Sequence, residues 1–288
     1  MAEASATVNA SIDRYAVVGD PIAHSMSPRV HALFAAQMAL ELTYERILAG
    51  VDAFDAVAGE FFQQGGRGLN VTLPCKFAAC RWVDELEPEA AAAGSVNTIV
   101  PFSPQAGDAV RFRGHNTDGP GLLGDLTRNL AEPLAGRRLL LLGAGGAVNG
   151  VVRQLAGQAP QELVIANRTA GRAHTLAAAL RTEFPRLQIR GCSLTDLPES
   201  FDLVINGTSA GLAGQVPAIS AKVVTGALCY DMVYGAETAF CRWALAAGAR
   251  SVSDGLGMLV EQAALAFTLW TGKVPLTPPV IAELRAGS

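Results

Sequence analysis

The chain has no paired cysteines: Cys75, Cys80, Cys192, Cys229 and Cys241 are scattered, odd in number and never spaced as CxxC. This excludes a disulfide framework and a structural zinc site, and buried thiols are expected instead. His24, His31, His115 and His174 also lack metal-ligand spacing, so no metal is expected. There is no basic block and the formal net charge is −4, which argues against nucleic acid as the main partner. No apolar run is long enough to cross a bilayer, because Leu259 to Trp270 is interrupted by Glu261 and Gln262. Met1 to Ile12 is small and polar, with neither a basic start nor an apolar segment; it reads as a tail and not as a signal peptide. A cytoplasmic location without membrane contact is the expectation. Whether the chain forms a homodimer is left open.

What is present suits an α/β enzyme. Hydrophobic residues make up 50% and charged residues 17% of 288 positions, a composition of compact domains and a length that accommodates two cores. The run Arg138-Leu139-Leu140-Leu141-Leu142 has no polar alternation, as expected for a parallel strand buried on both faces. Gly143, Ala144, Gly145, Gly146 and Ala147 follow, and they suit a tight turn into a helix whose free amides face a pyrophosphate. The G-x-G-x-x-G pattern is met at Gly143 and Gly145, but its third position is Val148. Taken alone, such a turn has an equally good steric explanation.

The next strand, Glu162 to Ala166, ends in Asn167-Arg168-Thr169. An NAD-preferring enzyme carries an acid there for the ribose 2′-hydroxyl. Arg168 instead offers a charged planar fork for a 2′-phosphate, with Asn167 and Thr169 as short hydrogen-bonding neighbours. The competing reading is a solvated arginine at a helix start; the binding role is favoured, and with it NADP. Downstream, Thr208 and Ser209 follow the strand Asp202 to Ile205, Met232 follows Leu228 to Tyr230, and Gly255 follows Ser251 to Ser253. Ligands of open α/β sheets bind at such strand ends.

The first half alternates in the same way. A strand at Tyr15 to Gly19 leads to a helix with Ser27 as its N-cap, Pro28 as its first residue and an apolar stripe of Val30, Leu33, Phe34 and Met38. A strand at Thr43 to Leu48, a helix at Val51 to Gln64, a strand at Gly68 to Thr72 and a helix opening at Lys76 follow. Glu87 to Ala93 reads as a helix, Asn97 to Val100 and Arg111 to His115 as paired strands, and Gly119 to Asn129 as a connecting helix. Gln262 interrupts the apolar helix Met258 to Trp270, pointing either to solvent or to substrate in a cleft.

These segments resemble the shikimate dehydrogenase family from about Tyr15 to about Trp270. The matching motifs stand in the family's order: His24-Ser25-Met26-Ser27-Pro28, Asn70-Val71-Thr72-Leu73-Pro74-Cys75-Lys76, Gly94-Ser95-Val96-Asn97-Thr98, Asn116-Thr117-Asp118-Gly119, Gly143-Ala144-Gly145-Gly146-Ala147, Asn167-Arg168-Thr169 and Asp254-Gly255-Leu256-Gly257-Met258-Leu259 with Gln262. The resemblance implies reversible NADP-dependent reduction of 3-dehydroshikimate to shikimate. It further implies Lys76 and Asp118 as the catalytic pair, and Ser25, Ser27, Asn70, Thr72, Asn97, Asp118 and Gln262, with Tyr234 close by, as ligands of the acid and its hydroxyls. The implied architecture is a substrate domain, residues 1–117 completed by 254–288, around a Rossmann-type NADP domain, residues 118–253, with a mostly parallel sheet. Two departures stand out. Tyr234-Gly235-Ala236-Glu237-Thr238 lacks the family's proline and is one residue shorter, and Cys75 replaces a common aromatic. The alternatives are a quinate/shikimate dehydrogenase using NAD and a non-catalytic ligand sensor; Arg168 argues against the first, and retention of Lys76 with Asp118 against the second.

Overall fold

The computed structural model describes residues 12–287 apart from 106, 209, 211–213 and 236. The expected tail before Ile12 lies outside the described residues. Two six-stranded sheets dominate. The first contains β1 (Asp13–Gly19), β2 (Leu42–Leu48), β3 (Gly66–Val71), β4 (Glu85–Leu86), β5 (Thr98–Phe102) and β6 (Arg111–His115), in the order β2-β1-β3-β5-β6-β4. β1 runs parallel to β2 and β3, whereas β5 is antiparallel to both β3 and β6. Its helices are α1 (Ser27–Gln37), α2 (Phe54–Gln63), α3 (Lys76–Trp82) and α4 (Pro88–Ala93).

The chain then enters α5 (Asp118–Gly124), continued by a wider π-helical turn at Asp125–Asn129. Beyond it lies the second sheet: β7 (Arg138–Leu142), β8 (Glu162–Ala166), β9 (Gln188–Cys192), β10 (Leu203–Asn206), β11 (Leu228–Asp231) and β12 (Ser251–Ser253). The order is β12-β11-β10-β7-β8-β9 and every pairing is parallel. α6 (Gly146–Ala156), α7 (Ala170–Glu183) and α8 (Ala239–Ala246) connect these strands, and α9 (Leu256–Thr271) and α10 (Thr277–Ala286) close the chain.

The leucines of β7 show why the run lacks alternation. Leu139 and Leu141 enter one apolar cluster with α6 and α7, while Leu140 and Leu142 enter another with Phe240 of α8 on the opposite face. Each fully buried side chain contributes about 1.5–3 kcal/mol. A separate cluster joins Val30 and Phe34 of α1 to Leu256, Val260 and Phe267 of α9 and to Val280 and Leu284 of α10. The last helices therefore pack on the first one, across the length of the chain.

Two local expectations need correction. Ser27 is the first residue of α1 and not its cap; the capping position is Met26, and the Ser25 hydroxyl accepts from the Ser27 amide at 3.3 Å. The connecting helix starts at Asp118 and widens at Asp125, whose carboxylate accepts from Tyr230 at 2.7 Å and from Asn129 at 2.9 Å. That buried acid sits where Gly257 has no side chain, because a Cβ there would collide with it.

Candidate active site

Lys76 opens α3 and Asp118 opens α5, and the two side chains meet between the sheets. Lys76 Nζ donates to Asp118 Oδ2, with side chains only 16% and 10% exposed. The other oxygen, Oδ1, accepts from Asn97 Nδ2 at 2.8 Å. A largely buried ion pair persists only when its remaining groups are also bonded, and Asn97 supplies that bond. Asn97 Oδ1 in turn accepts from the Thr117 amide at 2.8 Å, and the Asp118 amide donates to Asn116 Oδ1 at 3.1 Å.

Other expected residues surround this pair. Asn70 Nδ2, at the end of β3, donates to the Asn97 carbonyl at 3.1 Å and to Thr98 Oγ1 at 3.0 Å. Gln262 on α9 turns Oε1 toward Asn97 Nδ2 at 3.4 Å and Thr117 Oγ1 at 3.3 Å, while its nitrogen donates to Leu259 O at 2.9 Å. Its amide therefore faces Asn97 and Thr117. Its neighbour Glu261 is buried and receives Asn129 at 3.0 Å and Thr277 at 2.7 Å, with Arg128 also donating. Ser25 donates to Ser27 Oγ at 3.2 Å. Half-buried Tyr234 packs on the α1–α9 cluster, and burial raises its phenol pKa. Thr72 is half-buried just after β3, its methyl filling the space left by Gly19, where a Cβ would come within 2.5 Å.

Tyr44 donates to Asn70 Oδ1 at 2.7 Å, and its ring lies 4.3 Å from that of His31, stacked on it. Burial raises the Tyr44 phenol pKa and pushes the His31 imidazole down to about 3, with the Asn70 side chain offsetting part of the latter shift. His31 is therefore neutral, and among the described residues its Nε2 has no hydrogen-bond partner. Cys75 is fully buried and its thiol donates to Ala49 O at 3.3 Å, so the cysteine beside Lys76 is a packing residue.

The glycine-rich turn adjoins this cluster. Gly143 has φ +111°, a conformation costly for any side chain. The unexpected Val148 is fully buried, and a Cβ on Gly207 would lie 2.6 Å from its Cγ2. The close approach that the third glycine of the pattern usually permits is thus permitted by Gly207, just past the end of the neighbouring strand β10. A Cβ on Gly146 would lie 3.5 Å from Phe77 of α3, and one on Gly150 would lie 3.4 Å from Asp118 Oδ2. α6 therefore borders Asp118 directly, and its first residue, at the end of the turn, borders Phe77 next to Lys76. Ala144, Gly145 and Ala147 complete the turn and the first residues of α6.

Asn167 Nδ2 donates to Thr169 O at 3.0 Å, shaping the turn after β8. Arg168 is exposed there, and among the described residues no acid or carbonyl engages its guanidinium. Thr208 Oγ1 donates to Asn206 Oδ1 at 2.7 Å, and the Met232 amide donates to Asn206 O at 2.9 Å. A Cβ on Gly255 would lie 2.5 Å from Met232 O. Ser209 lies outside the described residues. Sequence reasoning missed Tyr44 and the role of Thr117 within Asn116-Thr117-Asp118-Gly119; only Thr117 had a signal, being inside a recognised motif.

A cavity of about 380 Å³ opens beside this cluster, between Glu89 of α4 and Asn149 and Arg153 of α6. Asn116 and Gly150, the neighbours of Asp118, line it, whereas Lys76 does not. Among the described residues no group of histidine, cysteine or acidic side chains could hold a metal ion, and no helix is long and apolar enough to cross a membrane.

Residues 17–99 match the shikimate dehydrogenase substrate binding domain, residues 125–222 the shikimate/quinate 5-dehydrogenase family and residues 255–285 the shikimate 5'-dehydrogenase C-terminal domain. The shikimate dehydrogenase (NADP(+)) of Alkalilimnicola ehrlichii is 50% identical over 95% of this chain and 98% of its own. The crystal structure of an Ael1 enzyme from Pseudomonas putida has a TM-score of 0.85 at 43% identity, covering 94% of this chain and 98% of that one. The shikimate 5-dehydrogenase of Thermus thermophilus, crystallised with NADP(H) and shikimate, has a TM-score of 0.81 at 34% identity over 96% of this chain and all of its own. With half its residues shared along nearly the full length of a curated relative, the chain belongs to the shikimate dehydrogenase family.

Proposed function

We propose that this protein catalyses the reversible NADP-dependent reduction of 3-dehydroshikimate to shikimate. The observation that carries this reading is the Lys76–Asp118 pair, largely buried between the two sheets, bonded on its free oxygen by Asn97 and bordered by Gly150 of α6. Bound NADPH supplies the hydride. As the ketone carbon is reduced, negative charge grows on its oxygen; the Lys76 ammonium stabilises that charge and donates the proton, and Asp118 holds the amine in place. In the reverse direction the same nitrogen accepts the hydroxyl proton.

In this reading Ser25 and Ser27 bind the carboxylate. Asn70, Thr72, Asn97, Asp118 and Gln262 bind hydroxyls, with Tyr234 closing the site. Short amide and hydroxyl side chains match a polyhydroxylated acid at little cost in rotamer entropy. The Gly143–Ala147 turn and the start of α6 bind the pyrophosphate. Asn167, Arg168 and Thr169 bind the 2′-phosphate, and Thr208, Ser209, Met232 and Gly255 line the nicotinamide side. The substrate unit is residues 1–117 completed by 254–288, a division supported by the packing of α9 and α10 on α1. The cofactor unit is residues 118–253.

The test mixes the protein with shikimate or quinate and with NADP or NAD, and follows absorbance of the reduced nicotinamide. Fast reduction with shikimate and NADP is expected. Reduction confined to NAD, or none with either cofactor, would contradict the reading.

A further inference from the structure

Arg46, on the edge strand β2, is absorbed neither by the catalytic pair nor by the cofactor turn. Its Nε and Nη2 both donate to the Ser25 carbonyl, at 2.9 and 2.6 Å. Ser25 is tied to Ser27 twice: its hydroxyl oxygen accepts the Ser27 amide at 3.3 Å, and the hydroxyl donates to Ser27 Oγ at 3.2 Å. The guanidinium, the two hydroxyls and the start of α1 thus form one bonded unit. Among the described residues no carboxylate pairs with Arg46, whereas the preceding residue, Glu45, pairs with Arg14 at 2.9 Å. Its charge reaches Tyr234, whose phenol pKa it lowers against the larger effect of burial.

The side chains proposed to receive the substrate's carboxylate are otherwise neutral. Hydroxyls and one helix start would have to hold a full negative charge, in part withdrawn from water, and such a charge needs a partner. We propose that Arg46 is the positioning and charge-compensating residue of the carboxylate subsite. Its fork fixes the Ser25 carbonyl so that both serine hydroxyls converge on the acid, and its unpaired charge favours an anion over a neutral group there. A lysine can supply the charge but not the two-pronged grip. The inference rests on the reading that Ser25 and Ser27 face the carboxylate of shikimate.

The test compares wild type, Arg46→Met and Arg46→Lys with shikimate and with its neutral methyl ester, by steady-state kinetics and by calorimetric titration. Arg46→Met is expected to raise KM and Kd for shikimate about 10-fold, to leave kcat and the KM for NADP near wild type, and to shrink the preference for acid over ester. Arg46→Lys should fall between the two. Unchanged shikimate affinity in Arg46→Met, or equal losses for acid and ester, would overturn the inference, since a merely structural loop contact treats both alike. Titration reads the comparison without turnover. A wild type that binds shikimate without oxidising it sinks the reaction and leaves this test intact, whereas a wild type that binds no shikimate overturns both.

Discussion

At the scale of single residues, Asp118 has two jobs that one substitution separates from those of its partner. Its Oδ2 receives Lys76 and its Oδ1 receives Asn97. Asp118→Asn should therefore lower kcat and raise the KM for shikimate together, which steady-state kinetics will resolve. Arg168, proposed to bind the 2′-phosphate, is exposed at the turn after β8. Arg168→Ala should weaken NADPH binding by roughly 10- to 150-fold, the loss of a charge-assisted contact of about 1.5–3 kcal/mol, and leave NADH binding nearly unchanged. Equal NADPH affinity in variant and wild type, measured by titration, would reject the assignment. Lys76, Asp118 and Asn97 were legible in the sequence because each sits inside a short motif whose local order sets its position. Tyr44 and Arg46 were not, because what they reach depends on the pairing of β1 with β2 that sets Tyr15 opposite Tyr44 and Val17 opposite Arg46.

At the scale of elements, α5 positions Asp118 through the glycines that follow it. A Cβ on Gly119 would lie 2.6 Å from the side chain of Gln154 on α6, and one on Gly121 would lie 2.6 Å from that of Gln262 on α9. The missing side chains let both helices close on α5. Gly121→Ala should push α9 outward, destabilising the protein by about 1–3 kcal/mol as overpacked interiors do and raising the KM for shikimate through Gln262. Urea unfolding and steady-state kinetics check the two effects; wild-type values in both would refute the packing account. The unalternated leucines made β7 readable, since so short an apolar run closed by glycines favours a strand buried on both faces over a helix. The π-turn at Asp125–Asn129 was unreadable because it reflects Tyr230 and Gly257, distant in sequence, closing on Asp125. The two-residue β4 carries too few residues for any periodicity, while α10 had a usable start in Thr277-Pro278.

At the scale of the whole molecule, α9 ties the end of the chain to its beginning, and His31 lies inside that junction, packed near Phe34 and Phe267. Its imidazole stays neutral down to about 3 in the fold, against 6.5 ordinarily. The unfolded chain takes up this proton below 6.5 and the folded chain does not. The stabilising contribution is thus present above 6.5 and is lost as pH falls toward 3, at up to about 1.4 kcal/mol per pH unit. Between pH 7 and pH 5 wild type should lose about 2 kcal/mol more unfolding free energy than His31→Phe; parallel curves would show that His31 does not carry this dependence. The overall architecture was legible because strand-helix alternation and the turn after β7 are local, whereas the antiparallel placement of β5 in the first sheet is a matter of long-range pairing. The account as a whole depends on chemistry at the contact between Lys76 and Asp118. The most direct measurement of it is the turnover of Lys76→Ala with shikimate and NADP both saturating. A fall in kcat of about 10²–10⁴-fold is predicted for loss of a positioned acid and base, and a folded variant that keeps wild-type kcat at saturation would contradict it.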